Sequence, residues 1–330
     1  MLRWGVLSTA NINNRFIPQL LKSPRSQVTA IASRSIEKAE SAAKMWNIPK
    51  VYGSYDDLLT DSEINAVYIP LPNSLHAEWA VRAAEQGKHC IVEKPITTKI
   101  SDVDKLQKVA KEHNVLIVEG FVHIHHPQFK AIKEKITSGC IGALQYMTGS
   151  FCFKVDQEDN IMYSREHDGG SLWNLGCYPI SLMIALLGES PQTVTAMKCE
   201  TKSGVDGTCH CILQFSNSRH GCISASCIAS SGTNFEIIGS KGKISLNKIR
   251  AFHPDCGDNA NYFDVSVSGE PEERVTVPNV DAFLSEITAF EASVLDGISP
   301  VVSLELSKLI VTTIIALHKS ACQGGMPVSL

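Results

Sequence analysis

The stretch His89-Cys90-Ile91-Val92-Glu93-Lys94-Pro95 decides the fold. Four strand-forming residues run straight into a charged pair and a proline, which cannot donate to a ladder. Upstream, Arg3-Trp4-Gly5-Val6-Leu7-Ser8-Thr9-Ala10-Asn11-Ile12 has the pattern of a strand passing through a turn into a helix. Pro70-Leu71-Pro72-Asn73-Ser74-Leu75-His76 follows a further apolar run. Strand-like runs at 2–8, 27–33, 66–71, 89–92 and 115–119 alternate with helical spacing of apolar residues at 13–22, 36–46, 75–86 and 103–113. Ser101 is the expected N-cap of the last helix, and 53–60 reads as a short helical turn. The alternation predicts βα units around a doubly wound parallel sheet. A lysine at a strand's carboxyl end in such a sheet points into the ligand crevice.

After Gly120 the rhythm changes. One helix at 126–138 precedes strand-like runs at 143–155, 193–199, 208–215, 221–229 and 234–238, and helices at 280–295 and 303–321 close the chain. Segregated strands predict an α+β domain on a large, mostly antiparallel open sheet. The expected domains are therefore 1–120 and 121–330. No internal repeat or low-complexity tract interrupts them.

Composition narrows the partners. With 330 residues, 44% of them hydrophobic and 19% charged, the chain can bury two cores. A net charge of -4 and a pI near 6.3 leave no electrostatic footprint for nucleic acid, and no block of Lys or Arg marks a membrane surface. No apolar run reaches spanning length, so a cytosolic protein acting on a small molecule is expected. Eleven cysteines are an odd number spread from Cys90 to Cys322, and most read as buried thiols. Cys209-His210-Cys211 and His123-Ile124-His125-His126 resemble metal clusters but lack a second pair at zinc spacing, so no metal is expected.

The first turn lacks the glycines of a dinucleotide fingerprint, which would fall on Ser8, Ala10 and Asn13. Ser8 and Ala10 are small enough for close approach, and Ser8 or Thr9 offers a hydroxyl to a phosphate. An ordinary βα turn capped by Thr9 or Asn11 is the alternative. Ser33-Arg34-Ser35 ends the second strand without the acid that binds a ribose 2′-hydroxyl, and Arg34 offers a planar fork for a 2′-phosphate. Arg34 as a solvated cation beside an N-capping Ser35 is the competing reading. Further on, Gly169-Gly170-Ser171-Leu172-Trp173-Asn174-Leu175-Gly176-Cys177-Tyr178-Pro179 opens a helix. Asn174 and Tyr178 stand four apart and would share a helical face.

These motifs resemble the Gfo/Idh/MocA family of nicotinamide-dependent sugar and polyol oxidoreductases. The resemblance is strong to about residue 130, good through Tyr178 and architectural thereafter. It implies a Rossmann domain whose dinucleotide lies against Ser8, Thr9, Ala10, Asn11, Ile12, Ser33 and Arg34, with NADP(H) preferred and NAD(H) possible. It implies that Pro70, Leu71, Asn73 and His76 border the nicotinamide ribose, although Asn73 as a helix cap and His76 as a surface residue stay open. It makes Lys94, beside Glu93, a contact of both the substrate oxygen and that ribose, with an often cis Lys-Pro bond. The family's second motif, Asp-x-Gly-x-His, has Tyr for His in the branch of dimeric dihydrodiol dehydrogenases and nucleotide-sugar ketoreductases. Tyr178 is then the proton donor, and Asn174 replaces the aspartate: it can orient a substrate hydroxyl but cannot act as a base. His167 lines the substrate pocket or is a solvated loop histidine, and His126-Pro127-Gln128 resembles the hinge. The exposed face of the second sheet is expected to make a homodimer or homotetramer. The implied activity is hydride transfer between NADP(H) and a ketone or secondary alcohol of a sugar-like substrate. Oxidation of a cyclic trans-dihydrodiol, or a silent dinucleotide-binding sensor, are the alternatives.

Overall fold

Apolar, β-branched runs in the first 120 residues become six strands: β1 (Leu2–Leu7), β2 (Ser26–Ala32), β3 (Lys50–Tyr52), β4 (Ala66–Ile69), β5 (His89–Val92) and β6 (Ile117–Glu119). All pair in parallel, in the order β3-β2-β1-β4-β5-β6. Both faces are covered, so all the strands but the half-buried edge strand β3 are buried along nearly their whole length. Between them run α1 (Asn13–Leu20), α2 (Ile36–Trp46), α3 (Tyr55–Thr60), α4 (His76–Glu85) and α5 (Ile100–Glu112). The computed structural model describes residues 1–157, 159–230, 232–246 and 261–330. Contacts divide the chain into two compact units, Met1–Val122 with Asp281–Ser307 and His123–Val280 with Lys308–Leu330.

Two expected caps are replaced. Helix α5 starts at Ile100 with Lys99 at its N-cap, so Ser101 lies inside it. The entry is closed instead by Thr97, which accepts from the Lys99 N–H and donates to Asp102. Helix α1 has Ile12 at its N-cap and no side-chain cap, so neither Thr9 nor Asn11 serves there. Ser35 does cap α2, accepting from the Lys38 N–H.

The second unit begins within α6 (Val122–His125) and continues through α7 (Pro127–Thr137), where His126 accepts from the Gln128 N–H as N-cap and Pro127 takes the first helical position. A π-turn (Leu172–Gly176) leads into α8 (Cys177–Leu187). The strands are β7 (Leu144–Cys152), β8 (Thr193–Glu200), β9 (Asp206–Gln214), β10 (His220–Ser226), β11 (Gly232–Gly239), β12 (Gly242–Leu246), β13 (Tyr262–Val267) and β14 (Glu273–Thr276). With β15 (Val328–Ser329) they form a nine-stranded sheet, antiparallel except for the β7–β10 pair. Met147, Phe151, Cys209, Cys211, Leu213, Ile223 and Ala225 are buried on one face. The alternate residues point outward, and Tyr146, Met197 and Ile212 are 43%, 57% and 52% exposed.

Helix α9 (Ala282–Asp296) returns to the first unit, and α10 (Leu304–Cys322) is shared at its first turn. The expected boundary near residue 120 does not contain this return. Its cause is aromatic: Phe290 packs on Trp4 at 5.1 Å and Phe283 meets Phe16 edge-on at 6.4 Å. Glu291 adds a buried carboxylate that accepts from the Ser23 and Ser26 hydroxyls.

Among the described residues, no helix is long and apolar enough to cross a membrane, and no group of three or more His, Cys, Asp or Glu can hold a metal ion. Cys209 and Cys211 face inward with their sulfurs 3.7 Å apart, while His210 points outward to Ser224. Ten cysteines are free thiols, and Cys256 lies outside the described residues.

Candidate active site

Because the first sheet is parallel, the loops after β1, β2, β4, β5 and β6 all leave from one edge. The strand order reverses between β1 and β4, where doubly wound sheets bind ligands. Ser8, just after β1, holds φ 102°, a backbone state that favours glycine. Its hydroxyl accepts from the Ala10 N–H and donates to the Pro70 carbonyl at 2.9 Å. The Ser8 proton is thus committed to the neighbouring loop and is not a donor to phosphate; Ser8 shapes the turn. Asn13, fully buried, completes it by donating to the Ser8 carbonyl at 2.9 Å.

The entry to α1 leaves donors pointing out. N–H groups of Asn13, Asn14 and Arg15 go to the carbonyls of Ala10, Asn11 and Ile12. Among the described residues, those of Thr9, Asn11 and Ile12 meet no protein acceptor. Three such donors at a helix N-terminus, beside a backbone bent as if for glycine, fit a pyrophosphate. At the end of β2, Arg34 is exposed and Ser33 buried. Burial pushes the Tyr55 phenol up, and the Arg34 guanidinium beside it pulls the other way.

The loop after β4 turns through a short 3-10 segment, Asn73–Leu75, into α4. Pro70 is buried, and Leu71 and Asn73 are half-buried. His76 is not a surface residue: it is 1% exposed, with Nδ1 2.7 Å from the Pro95 carbonyl oxygen and Nε2 2.6 Å from that of Leu71. Burial takes its pKa down to about 4 against the pull of the two carbonyls, so at neutral pH it donates to one of them. With both nitrogens turned to backbone, its bearing on a cofactor is indirect: it ties the β4 loop to the β5 loop.

Lys94 follows β5 directly, and the Lys94-Pro95 peptide is cis. Two acids brace this loop. Glu93 accepts from the Tyr68 hydroxyl at 2.6 Å, and Glu119, at the end of β6, accepts from the Ile96 N–H at 2.8 Å. Tyr68 is itself stacked on Phe16 at 3.7 Å. Burial raises Glu93, with Lys94 opposing, and takes Glu119 to about 7. Burial also holds Glu286 of α9 well above the carboxylate range, with Glu93 adding to the effect. Tyr68, Glu119 and Glu286 escaped the sequence reading; the one local signal was an acid ending a buried strand at Glu119.

In the second unit, Gly170 at φ +107° passes so close to Asp206 that a Cβ would lie 2.2 Å from Oδ1. The buried Asp206 carboxylate accepts from the Ser171 hydroxyl at 2.8 Å and the Leu172 N–H at 2.7 Å, fixing the entry to the helix. Asp206 was also missed, since its partners lie 35 and 34 residues away. The π-turn that contains Asn174 and gives way to α8 before Tyr178 replaces the continuous α-helix behind the shared-face expectation. Asn174 is buried and its amide donates to the Gly170 carbonyl at 2.9 Å. Tyr178 is half-buried, stacked on Phe151 at 4.9 Å and edge-on to His123 at 5.4 Å. His167 is half-buried in the loop before Gly169.

Comparison with known proteins bears on the family and the fold. A model of an oxidoreductase family with an NAD-binding Rossmann fold, GFO_IDH_MocA, matches residues 2–121, and that of the GFO/IDH/MocA C-terminal domain matches 129–245. The chain is 33% identical to a dTDP-3,4-didehydro-2,6-dideoxy-alpha-D-glucose 3-reductase of Streptomyces violaceoruber, over 89% of this chain and 85% of that one. It is 29% identical to a trans-1,2-dihydrobenzene-1,2-diol dehydrogenase of Xenopus laevis, over 94% and 95%. A 3-ketoreductase of Actinomadura kijaniata, solved with NADP and TDP-benzene, superposes with a TM-score of 0.89 at 30% identity, covering 97% of both chains. Variants of that ketoreductase with one lysine or one tyrosine replaced have also been solved with both ligands.

Proposed function

The chain belongs to the Gfo/Idh/MocA family of oxidoreductases, and from that premise we propose that it interconverts a ketone and a secondary alcohol on a sugar-like substrate, with NADP(H) preferred over NAD(H). The observation that carries the reading is Lys94, held at the carboxyl end of β5 on the same edge as the anion-accepting turn after β1. The pyrophosphate is assigned to the turn Ser8–Ile12, the 2′-phosphate to Arg34, and the nicotinamide ribose to the loop of Pro70, Leu71 and Asn73. When bound, the nicotinamide supplies or takes up the hydride.

Reduction leaves negative charge on the substrate oxygen. The Lys94 ammonium offsets that charge, and the Tyr178 hydroxyl delivers the proton. Lys94 and Tyr178 belong to different units, and the reading requires both to serve one oxygen. Asn174 and His167 are assigned to substrate binding on the resemblance. The reading includes a cytosolic protein that pairs with copies of itself through the outward face of its second sheet. The relative from Xenopus laevis favours a second substrate class, cyclic trans-diols.

The test is NADPH consumption with a panel of keto-sugars, free and nucleotide-linked, and NADP+ reduction with cyclic trans-diols. Lys94→Ala and Tyr178→Phe are each expected to lower kcat by about a hundredfold or more while NADPH still binds. Turnover unaffected by either change would overturn the assignment. Tight NADPH binding without turnover on any substrate would point to a silent sensor.

A further inference from the structure

Tyr178 is held by a short relay on its own unit. Ser181, one turn later in α8 and fully buried, has its hydroxyl oxygen 2.9 Å from the Tyr178 carbonyl and 2.9 Å from His123 Nε2. A carbonyl only accepts, so the single Ser181 proton goes to Tyr178, and the Ser181 oxygen accepts from His123 Nε2–H. The hydroxyl therefore fixes which nitrogen of His123 carries a proton. The His123 ring, 2% exposed, meets the phenol edge-on with centroids 5.4 Å apart and planes at 70°. Phe151 stacks on the same phenol at 4.9 Å and 22°. Two aromatic neighbours restrict the phenol, and one of them is itself tied to the helix that carries it.

We propose that His123 is a positioning residue for Tyr178: through Ser181 and through its ring edge it sets the orientation of the phenol, and with it the rate of proton transfer but not the binding of substrate or cofactor. This rests on the assignment of proton delivery to Tyr178. A buried histidine that only filled volume would be replaceable by another ring without loss. A positioning histidine is not, because a phenol displaced by a fraction of an ångström loses alignment with the oxygen it serves.

The test combines kinetics with a readout independent of activity. His123→Phe keeps a ring and loses the donor, His123→Gln keeps a donor and loses the ring, and His123→Ala loses both. Expected are a fall in kcat of about tenfold for His123→Phe and a larger one for His123→Ala, with KM for NADPH and for the ketone within about twofold of wild type. His123→Gln should recover part of the loss seen with Ala. In a Tyr178→Phe background, His123→Phe should cost nothing further. Ser181→Ala, which leaves the rings in place, should lower kcat several-fold and non-additively with His123→Phe, and it carries the test should the His123 variants fold poorly. Separately, NMR of the protein labelled in its tyrosine rings, with the Tyr178 signal identified by its loss in Tyr178→Phe, should show faster ring flipping in His123→Ala. Full kcat in His123→Phe, additivity with Ser181→Ala, or an unchanged flip rate would each overturn the proposal. Full activity in Tyr178→Phe would instead remove the proton-transfer assignment, and the flip rate would still decide whether His123 orders the phenol.

Discussion

In the proposed function, Arg34 is the side chain on which cofactor choice turns. It stands exposed just after β2, where a carboxylate would repel a 2′-phosphate. A charge-assisted bidentate contact contributes about 1.5–3 kcal/mol, so Arg34→Ala should weaken NADPH about ten- to a hundredfold and leave NADH nearly unchanged. Titration of both nucleotides by protein fluorescence measures this directly, and a wild type that prefers NADH would remove the 2′-phosphate role. Lys94, Arg34 and Tyr178 could be singled out as candidates because each sits inside a contiguous motif. Asp206, Glu119 and Ser181 could not, because what they do depends on a partner across a sheet or a helix: Asp206 on a turn 35 residues away, Ser181 on a histidine 58 residues away. Ser8 was half legible. Its smallness was visible, but the positive φ that commits its hydroxyl to Pro70 was not.

At the scale of elements, five of the six parallel strands of the first unit could be read because burial on both faces leaves near-continuous apolar runs; the edge strand β3, three half-buried residues, was missed. Strands β12 to β14 were missed because they are short and lie towards one edge of the second sheet, where alternation is weak. The π-turn before α8 has no sequence signature that separates it from a helix. The end of β6 carries a testable consequence. Glu119 has its pKa raised by burial from an ordinary 4.5 to about 7, so the native state holds this proton more tightly than the unfolded chain. The associated stability is fully present below about pH 4.5 and is lost as pH rises through about 7, a change on the order of 3 kcal/mol at about 1.4 kcal/mol per pH unit. Glu119→Gln can still accept from the Ile96 N–H but cannot ionise. Urea unfolding across that range should show wild type losing stability relative to Glu119→Gln. Parallel stability curves for the two proteins would show that Glu119 is not the titrating group.

At the scale of the molecule, the return of α9 to the first unit was hidden by chain order, since nothing in residues 281–307 names the unit whose aromatic side chains they meet. The outward face of the second sheet was easier to foresee. Register places Met197 opposite His210, His210 opposite Ser224 and Ser224 opposite Ser150, with Thr195, Ile212, Cys222 and Thr148 in the next row. Small and polar residues line the middle of this surface, while Tyr146, Met197 and Ile212 leave large apolar groups exposed on it. Such a patch on a sheet is a candidate contact surface, and a twofold contact would bury the same patch on both copies. Lysines at Met197 and Ile212 would then place unpaired charges in a desolvated interface, which costs several kcal/mol. Both side chains are more than half exposed, so the fold itself should tolerate the change. Sedimentation should show wild type as a dimer or tetramer and the Met197→Lys, Ile212→Lys double variant as a monomer with nearly the same Tm. A wild type that sediments as a monomer, or a double variant that keeps its full mass, would take this face out of the assembly.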